Sequence, residues 1–224
     1  MVRYGQVVRS AKVHEEDDIE GRDEGIDRVL AFSDGVFAIA ITLLVLNLNV
    51  PKVSHDLLHA LGTLWPAYLS YVLSFSIIGI VWASHHHMFR NIKRSDHPFL
   101  LINILFLMWV AIIPFPTNLL AHYLGTSQDH PAMAIYAITF WVGSLLFNFV
   151  WWYATHERRL LAGHVESTVV ERTNQSFRVG LILYLVDFVL AFEYVAASLA
   201  LFIAIAAFYA MYPLLVFHTR PSES

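Results

Sequence analysis

A chain of 224 residues with 57% hydrophobic and only 14% charged side chains departs from the roughly 25% charged composition of soluble domains and reads as an integral membrane protein. Its net charge of -4 comes mainly from one acidic segment, HEEDDIEGRDEG, so no basic stripe offers itself to a nucleic acid. The absence of cysteine excludes disulfides and thiolate metal ligands.

Residues 1–25 mix both signs of charge with glycine and show no apolar periodicity, which predicts a mobile arm. Six apolar runs follow, at roughly 29–49, 64–89, 98–121, 131–154, 174–192 and 194–217, each close to the ~20 residues that a helix needs to cross a bilayer. The first run is longer than a signal-peptide core, follows an acidic arm and lacks a small-residue cleavage pattern, so it is expected to be a permanent span. VPKVSHDLLHALGTLWP, between the first two runs, has room for a short interfacial helix, with Trp65 and Tyr68 near a headgroup boundary. In the third run, Pro114 and Pro116 of PFP predict a bend or a helix end, since proline lacks an amide donor and crowds the preceding turn. Trp141, Trp151 and Trp152 in the fourth run are expected as packing and interface anchors. The inner loop HERRLLAGHVESTVVERTNQ is partly helical in this reading, and the last two runs form a tight hairpin with Asp187 near its tip.

Unbroken text such as LLINILFLMWVAII lacks the alternation of a membrane β-barrel strand. Of the 14 basic residues, only Lys52 falls on the outer side when both termini are placed inside, as the positive-inside rule requires of an even number of spans. The expected fold is therefore all-α: a polytopic membrane protein with six transmembrane helices over 26–218, cytoplasmic N and C termini, and a short tail at 219–224. A multi-pass position in a cell membrane, with lipid as its surroundings, is the corresponding localisation.

Ionisable groups at membrane depth are costly, and face protein or water. The candidates are Asp34, His85, His86, His87 and Asp187, with Asn103 and Asn148 among the amides; Asp34 and His87 also lie near enough to the inner interface to be simply hydrated. Six residues of helix put Arg28 and Asp34 roughly 240° apart, so the partners of each are expected on other helices. Trp82, His85 and His86 are expected to join the second span to Asp34 and Asn103 on the first and third. The HHH triplet cannot turn three imidazoles to one face, and no acidic ligand set accompanies it, which disfavours a metal site.

Gly35, Ile39, Thr42 and Leu46 follow one another at i, i+4, i+7 and i+11, with Leu43 beside them. Such a stripe suits lipid contact or ordinary helix packing. Were several copies to surround an axis, it would instead form a narrow apolar ring with hydroxyls one turn beyond, a constriction able to gate by dewetting. Arg28, about 20° from Ile39 on an ideal wheel, could reach the cytoplasmic mouth of that path or turn away to carboxylates.

Arg28, Phe32, Ser33 and Asp34 spell RxxxFSD, and with GVFAIAITLLVL behind it the first run resembles the first helix of prokaryotic relatives of the lysosomal potassium channel called transmembrane protein 175. Trp82, His85 and His86, then Asn103 and PFPTNLL, extend the resemblance across residues 25–218. It implies a potassium-preferring channel without a TVGYG filter, four six-helix chains forming a homotetramer, and a central pore lined by each first helix. On matching positions it implies Ile39 as the narrowest apolar ring, Leu43 and Leu46 as further lining layers, and Thr42 as the hydroxyl layer associated with potassium preference. Arg28, Ser33, Asp34, Trp82, His85, His86 and Asn103 become the polar network that holds or moves that helix. Permeant potassium ions are then the only ligand, with no cofactor, no tightly bound metal and no catalytic residues. Asn47 and Asn49 stand where relatives carry acid, implying a weaker outer field for cations. A proton-coupled secondary transporter and a non-conducting membrane scaffold are the rival readings, although the last three spans do not repeat the first three as inverted repeats would; a hydrolase is least favoured, since no spaced nucleophile and base emerge.

Overall fold

The computed structural model describes residues 25–51, 56–162 and 165–217, the last six of them by backbone alone. The expected arm before residue 25, the tail at 219–224 and Lys52 lie outside the described residues. Helix α1 covers 25–43 and tightens into a 3-10 turn at Leu44–Asn47. It is followed by α2 (Leu57–Thr63), α3 (Trp65–Arg90), α4 (His97–Ile112), α5 (Pro114–Tyr123), α6 (Asp129–Thr155), α7 (Ser167–Leu190) and α8 (Val195–Phe217). Among the described residues there is no β-strand, only an isolated bridge between Ile92 and Leu161.

Four stretches are long and apolar enough to cross a membrane: Gly25–Asn47, Trp65–Arg90, His97–Tyr123 and Asp129–Arg158. The expected fifth run does not join them in composition. Its helix, α7, begins at Ser167 rather than near 174, and its first half carries Glu171, Arg172 and Arg178 at exposed positions. Charge on an outward face does not stop a helix, so the apolar text marked only part of it. Val195–Met211 of α8 is apolar but shorter. The hairpin between α7 and α8 is as tight as expected: Ala191 N donates to Asp187 O (3.0 Å) and Tyr194 N to Leu190 O (2.8 Å). Asp187 is fully buried there and accepts from Ser198 Oγ at 2.9 Å.

The short helix foreseen between the first two runs is α2, started by Asp56, whose carboxylate accepts from His59 N at 3.0 Å. At PFP one helix ends and the next begins, with Ile113, itself in helical φ/ψ, as the single residue between them. Proline removes the amide that would have reached Val110 O, and Ile113 N takes that carbonyl instead at 3.3 Å, so the helix direction passes from α4 into α5. At the N-terminal end of α4, Asp96 caps the helix by accepting from Phe99 N (2.9 Å) while its other oxygen accepts from Tyr153 Oη of α6 (2.8 Å).

The core is a run of aromatic rings. Phe106 stacks on Trp109 (5.6 Å between centroids) and meets Phe147 (5.4 Å), while Tyr136, Phe140 and Phe202 pack at 4.9–5.0 Å where α6 meets α8. α4 approaches α6 at Gly143, where an added Cβ would enter the Trp109 indole. That indole is pinned by its own N–H, which donates to Thr139 O at 2.7 Å. Gly143→Ala is therefore expected to cost about 1–3 kcal/mol of overpacking, read as a lower thermal midpoint in detergent. An unchanged midpoint would show that the indole has room to move.

Candidate functional site

Residues three and four apart on α1 separate into two faces. Ser33, Phe37, Ala40, Leu44 and Asn47 are buried against the rest of the chain, whereas Ile39 is 63% exposed and Leu46 70%. Leu43 and Thr42 lie on the same open side, as do Gly35 and Phe32. The Thr42 hydroxyl donates back to Ala38 O (2.8 Å) and Ile39 O (2.9 Å). With its proton so committed, Oγ1 turns lone pairs, and no donor, toward whatever lies outside. Chemically the open face is an apolar stripe interrupted by one acceptor position.

The buried face carries the polar attachment. Asn103 of α4 donates through Nδ2 to Ser33 Oγ (3.1 Å), and its Oδ1 meets His85 Nε2 of α3 (3.0 Å). Ser33 spends its own proton on Val29 O at 2.8 Å. Donor and acceptor roles then run one way: His85 Nε2–H to Asn103 Oδ1, Asn103 Nδ2–H to Ser33 Oγ, Ser33 Oγ–H to Val29 O. This order assigns the Nε2–H tautomer to His85 and leaves its buried Nδ1 without a partner. The ring is stacked on Phe89 at 4.3 Å and on Phe106 at 5.6 Å, with Phe37 of α1 at 5.5 Å. All three members, Ser33, Asn103 and His85, are buried to 1% exposure or less.

A second string starts one residue later. Trp82 Nε1 donates to Asp34 Oδ1 at 2.9 Å, and the indole sits 6.0 Å from the His86 ring. The carboxylate in the first run is thus tied to α3. Arg28 is exposed on α1, and no hydrogen bond or ion pair joins it to either string among the described residues. Asn148 serves helix packing, donating to Ser144 O (2.8 Å) and Phe177 O (3.3 Å).

At the other end of α1, Asn47 turns inward. Its Nδ2 donates to Pro114 O at 3.3 Å, and its Oδ1 accepts from Asn118 Nδ2 at 2.9 Å. A side chain 9% exposed and bonded on both sides to α5 is an anchor. Asn49 is exposed, 3.5 Å from Asn47 O.

Sequence reasoning missed several partners. Asn118 stands within the quoted PFPTNLL, and Asp96 precedes His97 and Pro98 in the pattern of a helix start. Ser74 of α3, bonded to Thr117 Oγ1 (2.7 Å) and Tyr136 Oη (2.9 Å), is a buried polar cluster that only the isolated hydroxyls in apolar text could have suggested. Among the described residues, no group of three histidine or acidic side chains could hold a metal ion.

Residues 28–114, which contain both strings and the stripe, match the family model described as the endosomal/lysosomal potassium channel TMEM175. A protein of Streptomyces collinus named as a potassium channel is 41% identical over 185 residues, covering 81% of this chain and 90% of that one. Another so named, from Chamaesiphon minutus, is 41% identical over 190 residues, covering 82% and 93%. The crystal structure of a lysosomal potassium-selective channel TMEM175 homolog from Chamaesiphon minutus superposes with a TM-score of 0.77 at 39% identity, over 84% of this chain and 98% of that one. Similarity of this extent, carried by the stretch that holds the two-faced helix, places the chain in the TMEM175 channel family as a multi-pass membrane protein.

Proposed function

We propose that the protein is a potassium-preferring channel in a prokaryotic cell membrane: a homotetramer of six-span chains with cytoplasmic termini, whose α1 helices line the central pore. The observation that carries this reading is the open stripe of α1, an apolar face at Ile39, Leu43 and Leu46 that its own chain leaves uncovered while the opposite face is bonded down. In a four-fold arrangement Ile39 forms the constriction, Leu43 and Leu46 line the path beyond it, and Thr42 supplies a ring of oxygen lone pairs to a partly dehydrated ion. Ser33, Asn103 and His85, with Asp34 and Trp82, hold the helix in place; Arg28 and His86 stand at the margins of this network. The potassium preference is supported by the names of the Streptomyces and Chamaesiphon relatives. The pathway needs no cofactor, tightly bound metal or catalytic residue.

Reconstitution into liposomes with opposing potassium and sodium gradients tests this. Currents reversing near the potassium potential are expected. Uphill movement driven by a proton gradient, with no unitary conductance, would instead make the protein a transporter.

A further inference from the structure

Away from α1, two recesses of about 510 and 550 Å³ adjoin each other between α6 and α7. Thr155, Asn174 and Arg178 line both, so they mark the junction. On one side the wall is apolar and belongs to α6: Leu145, Phe149 and Trp152, at i, i+4 and i+7, all with exposed side chains. From Leu145 to Thr155 the helix rises ~15 Å, half of the ~30 Å hydrocarbon core and so the depth of one leaflet. Trp152, nearest the junction and 52% exposed, has the amphipathic ring favoured at headgroup level.

The junction offers donors. Asn174 accepts from Trp151 Nε1 at 2.8 Å through Oδ1, which leaves its NH2 group as the end available to a ligand. Arg178 follows at i+4 on the same face, exposed, with no ion pair among the described residues. In the other recess, Arg158 already donates to Val165 O at 2.6 Å, and Glu171 stands in the same wall. Of the two guanidinium groups, the one at the junction is therefore the one with no hydrogen bond or ion pair among the described residues. A planar guanidinium beside an amide NH2 suits the paired oxygens of a phosphate.

Resting on the membrane orientation proposed above, we infer that the α6–α7 groove is a binding site for an anionic phospholipid of the inner leaflet, its phosphate on Arg178 and Asn174 and one acyl chain along Leu145, Phe149 and Trp152. Polar and apolar groups occur in the order of such a lipid, at its length. A free phosphate would use the donors and leave the apolar wall without an occupant. Basic pockets between membrane helices on the cytoplasmic side bind headgroups of this kind.

The test uses the full chain in vesicles containing either phosphatidylglycerol or phosphatidylcholine with brominated acyl chains, reading tryptophan quenching. Stronger quenching by the brominated phosphatidylglycerol is expected. Trp152→Phe should remove most of that difference, Arg178→Gln should lower the preference about fivefold, and Asn174→Leu should lower it less. Arg172→Gln, outside the groove, should leave it intact. Equal quenching by the two lipids, or an unchanged preference in Arg178→Gln, overturns the inference. Equal quenching together with Arg178-dependent binding of inorganic phosphate would mark a soluble-anion site instead. Potassium flux recorded in the same vesicles keeps the two readings apart: flux without lipid discrimination sinks only the lipid site, and discrimination without flux sinks only the channel.

Discussion

Replacing Ile39 with asparagine is expected to raise unitary conductance severalfold and to carry the potassium-to-sodium permeability ratio toward unity. An apolar ring resists ions because water leaves it and a partly stripped ion finds no substitute ligands. An amide at that height offers both an oxygen and a wet surface, so hydrated sodium and potassium pass with less distinction. The side chain is 63% exposed on its own protomer, so the substitution removes little intrachain packing and the fold should persist. Single-channel recording in mixed cation gradients, with tetramer content checked in detergent, reads the effect. Normal assembly with unchanged permeation would place the constriction at another residue.

Asn103→Leu is expected to have the largest effect on stability. Asn103 is 1% exposed and serves two partners on two helices. Leucine fills a similar volume but strands the His85 Nε2–H and removes the donor from Ser33 Oγ. A buried donor left alone costs roughly 1–3 kcal/mol, whereas interhelical hydrogen bonds in membranes contribute only about 0.6 kcal/mol on average. The orphaned histidine thus dominates, and a loss of about 2 kcal/mol follows. His85→Phe in the same background removes the orphan, since a phenyl ring fits between Phe89 and Phe106. The double variant should accordingly lose about 1 kcal/mol less than the two single losses added together. Strict additivity in detergent unfolding would show that the string contributes nothing as a unit.

Both expectations draw on a division that helical phase alone revealed. The 3.6-residue period set Asp34 and Ile39 on different sides of one helix, and the buried Ser33, Phe37, Ala40 and Leu44 follow the same period. Trp82, His85 and Asn103 were legible as a group because polar side chains in apolar text must find one another. The pairing within the group was not, since Ser33 and Asn103 meet across 70 positions of chain, a distance that spacing does not encode. The inward turn of Asn47 was hidden for a related reason. The resemblance implied only a weaker outer field at its position, and its inward bonds to Pro114 O and Asn118 Nδ2 join residues 67 and 71 positions apart, a pairing that spacing does not encode either. The apolar run at 174–192 fell short of the start of α7, which lies in the loop expected to be partly helical, because exposed Glu171 and Arg172 break hydropathy without breaking the backbone.

The attachments of α1 are unevenly spaced. Ser33 and Asp34 fasten it toward one end and Asn47 near the other, and over the intervening ~20 Å it is held by apolar contact, through buried Phe37, Ala40 and Leu44 with Val36 and Ile41 beside them. Directional bonds resist sliding and twist, while apolar surfaces tolerate both. Mechanically the helix is a beam clamped at its ends, and a clamped beam deflects most at mid-length, which is where Ile39 and Thr42 stand. In the pore proposed above, flexing of this middle stretch would change the aperture with neither clamp released.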